Sequence, residues 1–516
     1  MRWRLLGPLA LLALCLTSLA TAQTATTTAT TVAVEGGALP AVVTQMLERA
    51  GVRAPAVGVY IAEPGAGLAR PLVQVAADQA FVPASVMKLV TAIAALELLG
   101  PQYRWTTPVL ATGRIEQGMI EGDLIVRGGN DPALGWAQLE QLVQRLRKRG
   151  IHTIQGNVVA DRRLYTAADN ETLAYVADMA YPWNSPPDSL VVNGKMVAVR
   201  FVPDERTRRV TVTLDPPIEA VQIRGAVAYV DGPCVHAQPF VDAVGELDYA
   251  RIRVDGALSA GCGPRSTLIS VMGHGDYFQR AFAQLWKASG GVWNGRFEAY
   301  NNSHNRAVVI DRIVSPPLVD VVKEINKHSN NLMARQLFVQ LALSDPVPKV
   351  RGALTLRAFD RVQRLFRDKG IDVPELAMDN GAGVSFAERV SPRSLARLLD
   401  FALARPYANT LMASLPVAGV DGTMAARLKQ SPVAGKAFLK TGEVPDSRTL
   451  AGYVRDAAGK LHIAVVLVNH RNADAAFPAI DATIDWLYRR PAEQPSPPSP
   501  PPPRAWDEYR LRDKPI

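Results

Sequence analysis

The sequence predicts a mixed α/β domain, of the α+β type, that is interrupted by a large β-rich insertion. The chain has 516 residues, of which 48% are hydrophobic and 20% charged, and this composition is typical of a globular protein that can bury a large core. Helical and strand-like patterns follow one another near both ends, whereas short strand-like runs between Gly, Pro, Asn and Asp fill residues 106–305. Because the two outer stretches share the same mixture of helical and strand-like patterns, we expect them to fold together around the insertion.

Residues 1–22 are predicted to be a signal peptide and not part of the folded core. Two arginines lie near its start, residues 5–20 form an apolar run, and small side chains at 20–22 suit cleavage. A membrane anchor is the alternative, but a run of about 16 residues is shorter than the roughly 20 that a spanning helix needs. We therefore expect the protein to be exported and periplasmic.

Residues 23–38 are rich in Thr and Ala without periodicity, so they are predicted to be a disordered leader. The first part of the main domain is predicted at 39–105. A proline at position 83 and the Gly100-Pro101 pair mark the start and the end of its last helix. The elements expected in this part are a helix at 39–50, a hairpin of strands at 57–62 and 72–76, and a helix at 85–99.

The second part of the main domain is predicted at 306–490, where helical patterns return. Helices are expected at 318–327, 330–343, 351–369, 392–404 and 478–490, with strands at 437–440, 449–455 and 462–469. The insertion is expected to contain strands at 124–126, 158–160, 196–201, 210–214 and 250–254. Residues 491–503 contain eight prolines, so 491–516 is predicted to be an extended Pro-rich tail.

Charge and residue patterns exclude several classes of function. The formal net charge is +9, but no dense Lys/Arg run has interleaved aromatic residues, so a nucleic-acid partner is not expected. Without a C-x-x-C or H-E-x-x-H pattern, no metal site and no cofactor are expected. Cys234 and Cys262 are the cysteines that follow the signal, and an oxidising compartment would let them pair. Peripheral association with a membrane or wall, and a homodimer, stay open.

Ser85-Val86-Met87-Lys88 is the first motif that could carry chemistry. A serine hydroxyl is a weak nucleophile, and three-residue spacing on a helix places Lys88 within reach of Ser85 as a base. Lysine can act as that base only if burial or a neighbouring positive charge lowers its pKa. The alternative is a cap serine followed by a solvated lysine, because the pattern by itself is common.

Ser329-Asn330-Asn331 is a second motif, placed just before an amphipathic helical pattern. Serine and asparagine are the residues preferred at a helix N-cap, so a purely structural role is the alternative here. The motif by itself does not decide whether these residues have a role in chemistry.

Lys440-Thr441-Gly442 is a third motif, at the end of one strand-like run and ahead of another. A lysine and a hydroxyl can bind a substrate carboxylate, and glycine leaves the strand edge open for an extended peptide. A strand end followed by a turn is the alternative.

Together the three motifs, in the order S-x-x-K, S-x-N and K-T-G, match the set used by penicillin-binding proteins and serine β-lactamases. Ser329 follows Ser85 by 244 residues, whereas Lys440 follows Ser329 by only 111. With this long first interval, the sequence resembles the D-alanyl-D-alanine carboxypeptidase/endopeptidase family of class C low-molecular-mass penicillin-binding proteins, the peptidase S13 family. Supporting stretches lie at 81–85, 128–132, 378–383, 415–423 and 451–454.

This resemblance implies a transpeptidase/β-lactamase-like domain that carries all three motifs, with two smaller domains inserted after the Ser85 helix. It also implies that Ser85 is acylated, that Lys88 activates it, and that Ser329 relays a proton to the departing amine. By the same resemblance, Asn331 binds the substrate amide, and Lys440 and Thr441 bind the carboxylate. Gly442 lies at the open strand edge. The backbone N–H of Glu443 joins that of Ser85 in an oxyanion hole.

Glu443 departs from the family pattern, which usually has Thr or Ser after K-T-G. A glutamate there would repel a terminal carboxylate unless its side chain turns outward. Weak carboxypeptidase activity with preserved endopeptidase activity is therefore a hypothesis. Asp379 and Asp421 lie in Gly-rich segments, where a turn role is expected for both.

The function that the sequence predicts is hydrolysis of a D-Ala-D-Xaa bond in peptidoglycan stem peptides and cross-links, with β-lactams acylating the same serine. A β-lactamase is one alternative, although no E-x-x-L-N segment is evident. A non-catalytic wall-binding protein on the same fold is the other, although a pure binder has no need of Lys88.

Overall fold

Helices and strands follow one another through residues 37–165, 184–245, 250–270 and 272–493, which the computed structural model describes. The predicted signal peptide lies outside these residues, as do 23–36 of the predicted leader and 494–516 of the predicted tail. The helices are α1 (Ala41–Arg49), α2 (Met87–Leu99), α3 (Trp136–Lys148), α4 (His274–Ala288), α5 (Leu318–His328), α6 (Asn331–Leu343), α7 (Leu354–Asp368), α8 (Pro392–Leu403), α9 (Ala408–Ser414) and α10 (Phe477–Glu493). None of them is long and apolar enough to cross a membrane.

The strands, in chain order, are β1 (Val57–Ala62), β2 (Val73–Val75), β3 (Thr106–Ala111), β4 (Ile115–Glu116), β5 (Met119–Ile120), β6 (Leu124–Arg127), β7 (Thr153–Ile154), β8 (Val158–Asp161), β9 (Met196–Asp204), β10 (Arg209–Asp215), β11 (Val221–Gly225), β12 (Ala228–Val230), β13 (Phe240–Gly245), β14 (Ala250–Asp255), β15 (Ala257–Ser259), β16 (Arg265–Ser270), β17 (Val292–Trp293), β18 (Phe297–Ala299), β19 (Val308–Val314), β20 (Ala437–Val444), β21 (Ser447–Arg455) and β22 (Leu461–Asn469).

An antiparallel five-stranded sheet, with strand order β2-β1-β22-β21-β20, joins the two ends of the chain. Alternate residues of β22 enter different hydrophobic clusters: Val465 packs with α2 and α6, whereas Val466 packs with α1 and α10. Because both faces of the sheet are covered, its inner strands β1 and β22 are near-continuous apolar runs. The predicted α/β fold, with the outer stretches folding together, is confirmed.

Helix α2 runs through the core beside this sheet. All its residues from Met87 to Leu96 are buried, and a helix that is apolar on every side belongs in a protein interior. It ends at Gly100, whose φ of 82° suits a residue without a Cβ. A short 3₁₀ turn at Ala84–Val86 precedes it, so Ser85 lies at the entry to a rigid buried element.

Residues 106–314 form further sheets, including β18-β8-β6-β3-β19 and β10-β9-β16 around a common core. The predicted strands at 124–126, 158–160, 196–201, 210–214 and 250–254 are all present. The predicted β-rich insertion also contains two helices, because α3 and α4 contribute to this core. In α3 the buried residues Leu139, Leu142, Val143 and Leu146 follow helical spacing, a signal present in the sequence.

The predicted domain boundaries stay predictions. Strand β19 follows the predicted boundary at 305 and pairs with β3, at the opposite end of the insertion. Helix α10 continues to Glu493, slightly past the predicted start of the tail. The cysteines Cys234 and Cys262 form a disulfide within the insertion.

Candidate active site

The chain before Ser85 is fastened to the central sheet. The Val82 N–H donates to Asn469 Oδ1 at 2.7 Å, and the Val82 carbonyl accepts from Ser447 Oγ at 3.0 Å. One residue further, the Pro83 carbonyl accepts from Thr449 Oγ1 at 2.7 Å. Side chains of β21 and β22 therefore fix the position at which helix α2 begins.

Ser85 is held in an unusual backbone environment. Ala84, directly before it, has a φ of 47°, in the left-handed region that non-glycine residues seldom adopt. Ser85 itself is 8% exposed, so the rest of its surface is covered by protein while the residue still lines a cleft. The strained turn presents the hydroxyl at the N-terminal end of α2, where backbone N–H groups favour developing negative charge.

The Lys88 amine lies against this hydroxyl. Its Nζ is 2.7 Å from Ser85 Oγ, 2.7 Å from Asn331 Oδ1 and 2.5 Å from the Ala382 carbonyl oxygen. Lys88 is fully buried, and this burial, together with the positive charge of Lys440, holds its pKa well below the usual lysine value. Ser85 and Lys88 therefore lie within hydrogen-bond distance of each other, and Lys88 is buried and not a solvated lysine.

The second motif divides its two roles between different residues. Asn330 is the N-cap of α6 and its Oδ1 accepts the Met333 N–H at 3.0 Å, so the structural role applies to this residue. Ser329 lies between α5 and α6 in the left-handed conformation, with φ 55° and ψ 38°. Ser329 and Asn331 both line the cleft, with Asn331 bonded to Lys88.

The third motif brings a second buried amine to the site. Lys440 on β20 donates to Ser329 Oγ at 3.0 Å and to the Thr441 carbonyl at 2.7 Å. Burial lowers the pKa of Lys440 to about 7. Thr441 Oγ1 lies 2.7 Å from Thr423 Oγ1, so two hydroxyls face the cleft together. The strand-end role considered from sequence therefore does not describe Lys440.

Gly442 allows β20 to lie directly against the Ser85 turn. A Cβ at this position would be 2.1 Å from Thr449 Oγ1, 2.8 Å from the Pro83 carbonyl oxygen and 3.0 Å from Ala84 Cβ. Any larger residue must displace the strand or the turn. Strand β20 is the last strand of its sheet. Residues 416–418 bond to its outer edge at Ala437 and Leu439, so the edge beyond Leu439 is the part available to an extended peptide.

Glu443 is the next residue on β20, and its side chain is 65% exposed. Its Oε1 lies 3.1 Å from Arg448 Nη2, and Arg448 also pairs with Asp474. The Arg448 guanidinium is fixed in turn by the carbonyls of Val444 and Ser447, each at 2.7 Å. Arg448 therefore partly neutralises the Glu443 carboxylate, and this pairing was not predicted from the sequence.

These groups line one cleft of about 680 Å³. Six of the eight predicted site residues line it: Ser85, Ser329, Asn331, Thr441, Gly442 and Glu443. Lys88 and Lys440 lie behind the wall, each bonded to a lining serine. The cleft also contains Asn184, Val384, Thr423, Arg427, Val444, Pro445 and Phe477.

Some residues that support the site were not recognised from sequence. Asp421, expected only to shape a turn, accepts from Lys327 Nζ at 2.7 and 2.6 Å, which ties the end of α5 to the segment carrying Thr423. Glu388 is fully buried and accepts backbone N–H groups near Lys88. The Lys327–Asp421 contact joins segments 94 residues apart, so no local pattern predicts it. The Glu388 contacts span only seven to nine residues, but the turn they hold meets Lys88 only in the folded core.

The site combines a nucleophilic hydroxyl beside a buried amine of lowered pKa with a second serine–lysine pair across the cleft. Such an arrangement allows the nucleophilic serine to accept an acyl group without a metal ion. Among the described residues, no three His, Cys, Asp or Glu side chains cluster in a way that could hold a metal. The fold and the arrangement of the three motifs define the class of penicillin-binding proteins and serine β-lactamases.

Comparison with known proteins identifies the family within this class. The family model of the D-Ala-D-Ala carboxypeptidase 3 (S13) family matches residues 40–490. D-alanyl-D-alanine carboxypeptidase DacB of Haemophilus influenzae is 26% identical over 393 residues, which cover 75% of this chain and 80% of the relative. D-alanyl-D-alanine carboxypeptidase of Actinomadura sp. strain R39 is 27% identical over 412 residues, which cover 75% and 73%.

The crystal structure of penicillin binding protein 4 (dacB) from Haemophilus influenzae has the same fold, with a TM-score of 0.66 and 24% identity over 83% of this chain and 93% of that one. The chain belongs to the D-Ala-D-Ala carboxypeptidase 3 (S13) family. The family and the enzyme class predicted from the three motifs are confirmed.

Proposed function

We propose that this protein is a serine-type D-Ala-D-Ala carboxypeptidase and DD-endopeptidase that cleaves a D-Ala-D-Xaa bond of peptidoglycan through an acyl-enzyme at Ser85. The observation that carries the proposal is the 2.7 Å hydrogen bond between Ser85 Oγ and a Lys88 amine whose pKa is lowered by burial. A lower pKa increases the share of Lys88 that is neutral, and a neutral amine can accept the serine proton. The names of the relatives support the same activity.

Acylation would begin when Ser85 Oγ attacks the carbonyl carbon of the penultimate D-Ala and its proton moves to Lys88 Nζ. The backbone N–H groups of Ser85 and Glu443 would stabilise the resulting oxyanion. Ser329, bonded to Lys440 at 3.0 Å, would pass a proton to the departing amine as the peptide bond breaks. Water would then hydrolyse the ester and restore the serine.

Substrate placement follows from the edge position of β20. An extended stem peptide would lie along that edge, with its amide at Asn331 and its carboxylate at Lys440 and Thr441. β-Lactams would acylate Ser85 in the same way, because their ring carbonyl takes the position of the scissile amide. Peptidoglycan peptides and β-lactams are the partners that this cleft fits.

Labelling with a fluorescent penicillin, followed by digestion of purified cross-linked muropeptides, tests the proposal. We expect stable labelling of the wild-type chain, release of terminal D-Ala or of separated stem peptides, and a loss of about 10⁴-fold or more in Ser85→Ala. Ser289→Ala is a matched control, since the Ser289 hydroxyl bonds to the Trp286 carbonyl outside the cleft. Equal labelling of wild type and Ser85→Ala would favour a non-catalytic wall-binding protein.

The β-lactamase alternative gives a different result in the same assay. Rapid turnover of the penicillin, with no accumulated label, would indicate fast deacylation and would support that alternative. A persistent adduct at Ser85 supports the peptidase.

We also propose that the protein is exported to the periplasm after cleavage of residues 1–22. The positive start, apolar run and small cleavage-site residues support this location. Fractionation of cells, with N-terminal sequencing of the mature chain, is expected to recover a protein that begins at position 23. An uncleaved chain in the membrane fraction would instead indicate an anchor.

A further inference from the structure

A buried carboxylate outside the three motifs organises the backbone behind Lys88. Glu388 is fully buried, and its Oε1 accepts the backbone N–H groups of Asp379, Asn380 and Gly381 at 3.2, 3.1 and 2.8 Å. Three amides that converge on one carboxyl oxygen fix the path of this segment, because each buried N–H otherwise lacks a partner. Residues 379–383, which we call the 379–383 turn, therefore depend on Glu388 for their shape.

The 379–383 turn contacts both catalytic candidates. The Ala382 carbonyl accepts from Lys88 Nζ at 2.5 Å, and the Ala382 N–H donates to Asn380 Oδ1 at 2.9 Å. A Cβ on Gly383 would lie 1.8 Å from the Ala84 carbonyl oxygen, so the turn packs directly on the residue before Ser85. Small changes in the turn must move the Ala382 carbonyl relative to the lysine amine.

The acceptors around Lys88 determine where its lone pair points. A neutral amine has two N–H bonds and one lone pair. Asn331 Oδ1 and the Ala382 carbonyl can accept the two N–H bonds, which leaves the lone pair directed at Ser85 Oγ, 2.7 Å away. If the Ala382 carbonyl moved away, an N–H could donate to Ser85 Oγ, and the amine would no longer be oriented to accept the serine proton.

We propose that Glu388 is a positioning residue for acylation: by holding the 379–383 turn, it keeps the Ala382 carbonyl on the Lys88 amine and so directs the amine lone pair at Ser85. The inference rests on the proposed function, in which Lys88 is the base. Glu388 touches neither substrate nor the reacting atoms and acts through the turn.

A second consequence of this placement is electrostatic. Burial and the charge of Lys440 lower the pKa of Lys88, Glu388 raises it, and Arg335 on α6 lowers it. The pKa of Glu388 is raised by its own burial, an effect that the three backbone N–H groups oppose and nearby Asp379 adds to. Replacing Glu388 with glutamine keeps an oxygen acceptor for the turn but removes any negative charge near the amine.

The test measures penicillin acylation of the full chain as a function of pH and penicillin concentration for wild type, Glu388→Ala and Glu388→Gln. Glu375→Gln is the matched control, because Glu375 accepts the Ser391 N–H at 2.8 Å and holds a different segment. For Glu388→Ala we expect a limiting acylation rate lowered roughly 10- to 100-fold, with the dissociation constant of the non-covalent complex nearly unchanged. The control is expected to acylate at the wild-type rate.

For Glu388→Gln we expect a limiting rate within about five-fold of wild type, because the amide oxygen can still accept the three backbone N–H groups, and an acid limb of the pH profile shifted to lower pH. Rescue of the rate by glutamine, with binding unchanged in both variants, would not follow from a general loss of structure. A wild-type limiting rate in Glu388→Ala, or a rate in Glu388→Gln as low as that of Glu388→Ala, would overturn the proposal. Failure of the proposed function is distinguishable, because it would appear in the wild-type chain as the absence of Ser85-dependent labelling.

If Glu388→Ala does not fold, Thr91→Val decides the question. The Thr91 hydroxyl donates to the Gly381 carbonyl at 2.6 Å, at the other side of the same turn, and valine has a similar shape. We expect its limiting acylation rate to fall roughly three- to ten-fold while binding is unchanged. An unchanged rate in Thr91→Val would count against the positioning of Lys88 by this turn.

Discussion

The charge at the Glu443 end of the cleft decides how well a free terminal carboxylate is accepted. Glu443 follows the Lys440-Thr441-Gly442 motif that we propose binds this carboxylate, and its own carboxylate has the same sign. Its pairing with Arg448, at 3.1 Å, removes part of the repulsion, and its 65% exposure lets water screen much of the rest. We predict that Glu443→Gln and Glu443→Thr both improve hydrolysis of peptides that end in D-Ala-D-Ala.

The size of the effect follows from these two features. Two unit charges about 4 Å apart repel by about 1 kcal/mol in water. Because the Arg448 guanidinium partly neutralises the Glu443 carboxylate, we expect Glu443→Gln to raise kcat/KM by only about two- to five-fold. Threonine also adds a hydroxyl, and a hydrogen bond to a charged group contributes about 1.5–3 kcal/mol where it is protected from solvent. In this open cleft we expect a total gain of about ten-fold for Glu443→Thr.

The assay measures release of D-Ala from a stem peptide ending in D-Ala-D-Ala and, in parallel, release of D-alaninamide from the same peptide with a C-terminal amide. The gain is expected only for the free carboxylate, because the amide carries no charge to repel. Glu116→Gln is the control, since Glu116 is also exposed, pairs with Arg114 at 3.4 Å and lies in the insertion outside the cleft lining. If Glu443→Thr gave no gain, or gave the same gain on the amide, Glu443 would not act on the substrate carboxylate.

Three further predictions concern the framework of the site. Gly442→Ala is expected to lower penicillin acylation about 100-fold, because its methyl group would meet Thr449 and Pro83; an unchanged rate would contradict the tight contact. The Lys440 pKa of about 7 lies below the unfolded value of about 10.4, so the unfolded chain binds a proton that the folded chain lacks between these pH values. The free energy of unfolding should therefore rise with pH through this window, with Lys440 contributing up to about 1.4 kcal/mol per pH unit. The rise should be less steep in Lys440→Met, and equal slopes for wild type and variant would refute this prediction. Replacing Cys234 and Cys262 with serine is expected to cost about 2–4 kcal/mol in thermal or denaturant unfolding, while unchanged stability would show that the cross-link is not stabilising.

Local patterns were sufficient for most of the main domain. The helix predicted at 330–343 corresponds to α6, because Asn330 supplies a cap and apolar residues follow at helical spacing. The strands predicted at 449–455 and 462–469 match β21 and β22 closely, and the long apolar run of β22 is typical of a buried strand. In the insertion, frequent turn residues predict strands, and the helical spacing within α3 and α4 is the local signal for the two helices that the prediction lacked.

The amino-acid sequence alone determined which chemical groups the protein has and in what order: a serine and a lysine one helical turn apart, a second serine just before a helix, and a lysine on a strand. Only the tertiary structure decided that these groups meet, since Ser85, Ser329 and Lys440 are brought together by sheet register and helix packing across hundreds of residues. It also decided their reactivity, because the pKa values of Lys88 and Lys440 fall only when folding removes water from both amines. The contact between the 379–383 turn and Lys88 has no trace in local sequence, because it depends on two segments that pack together only in the folded core.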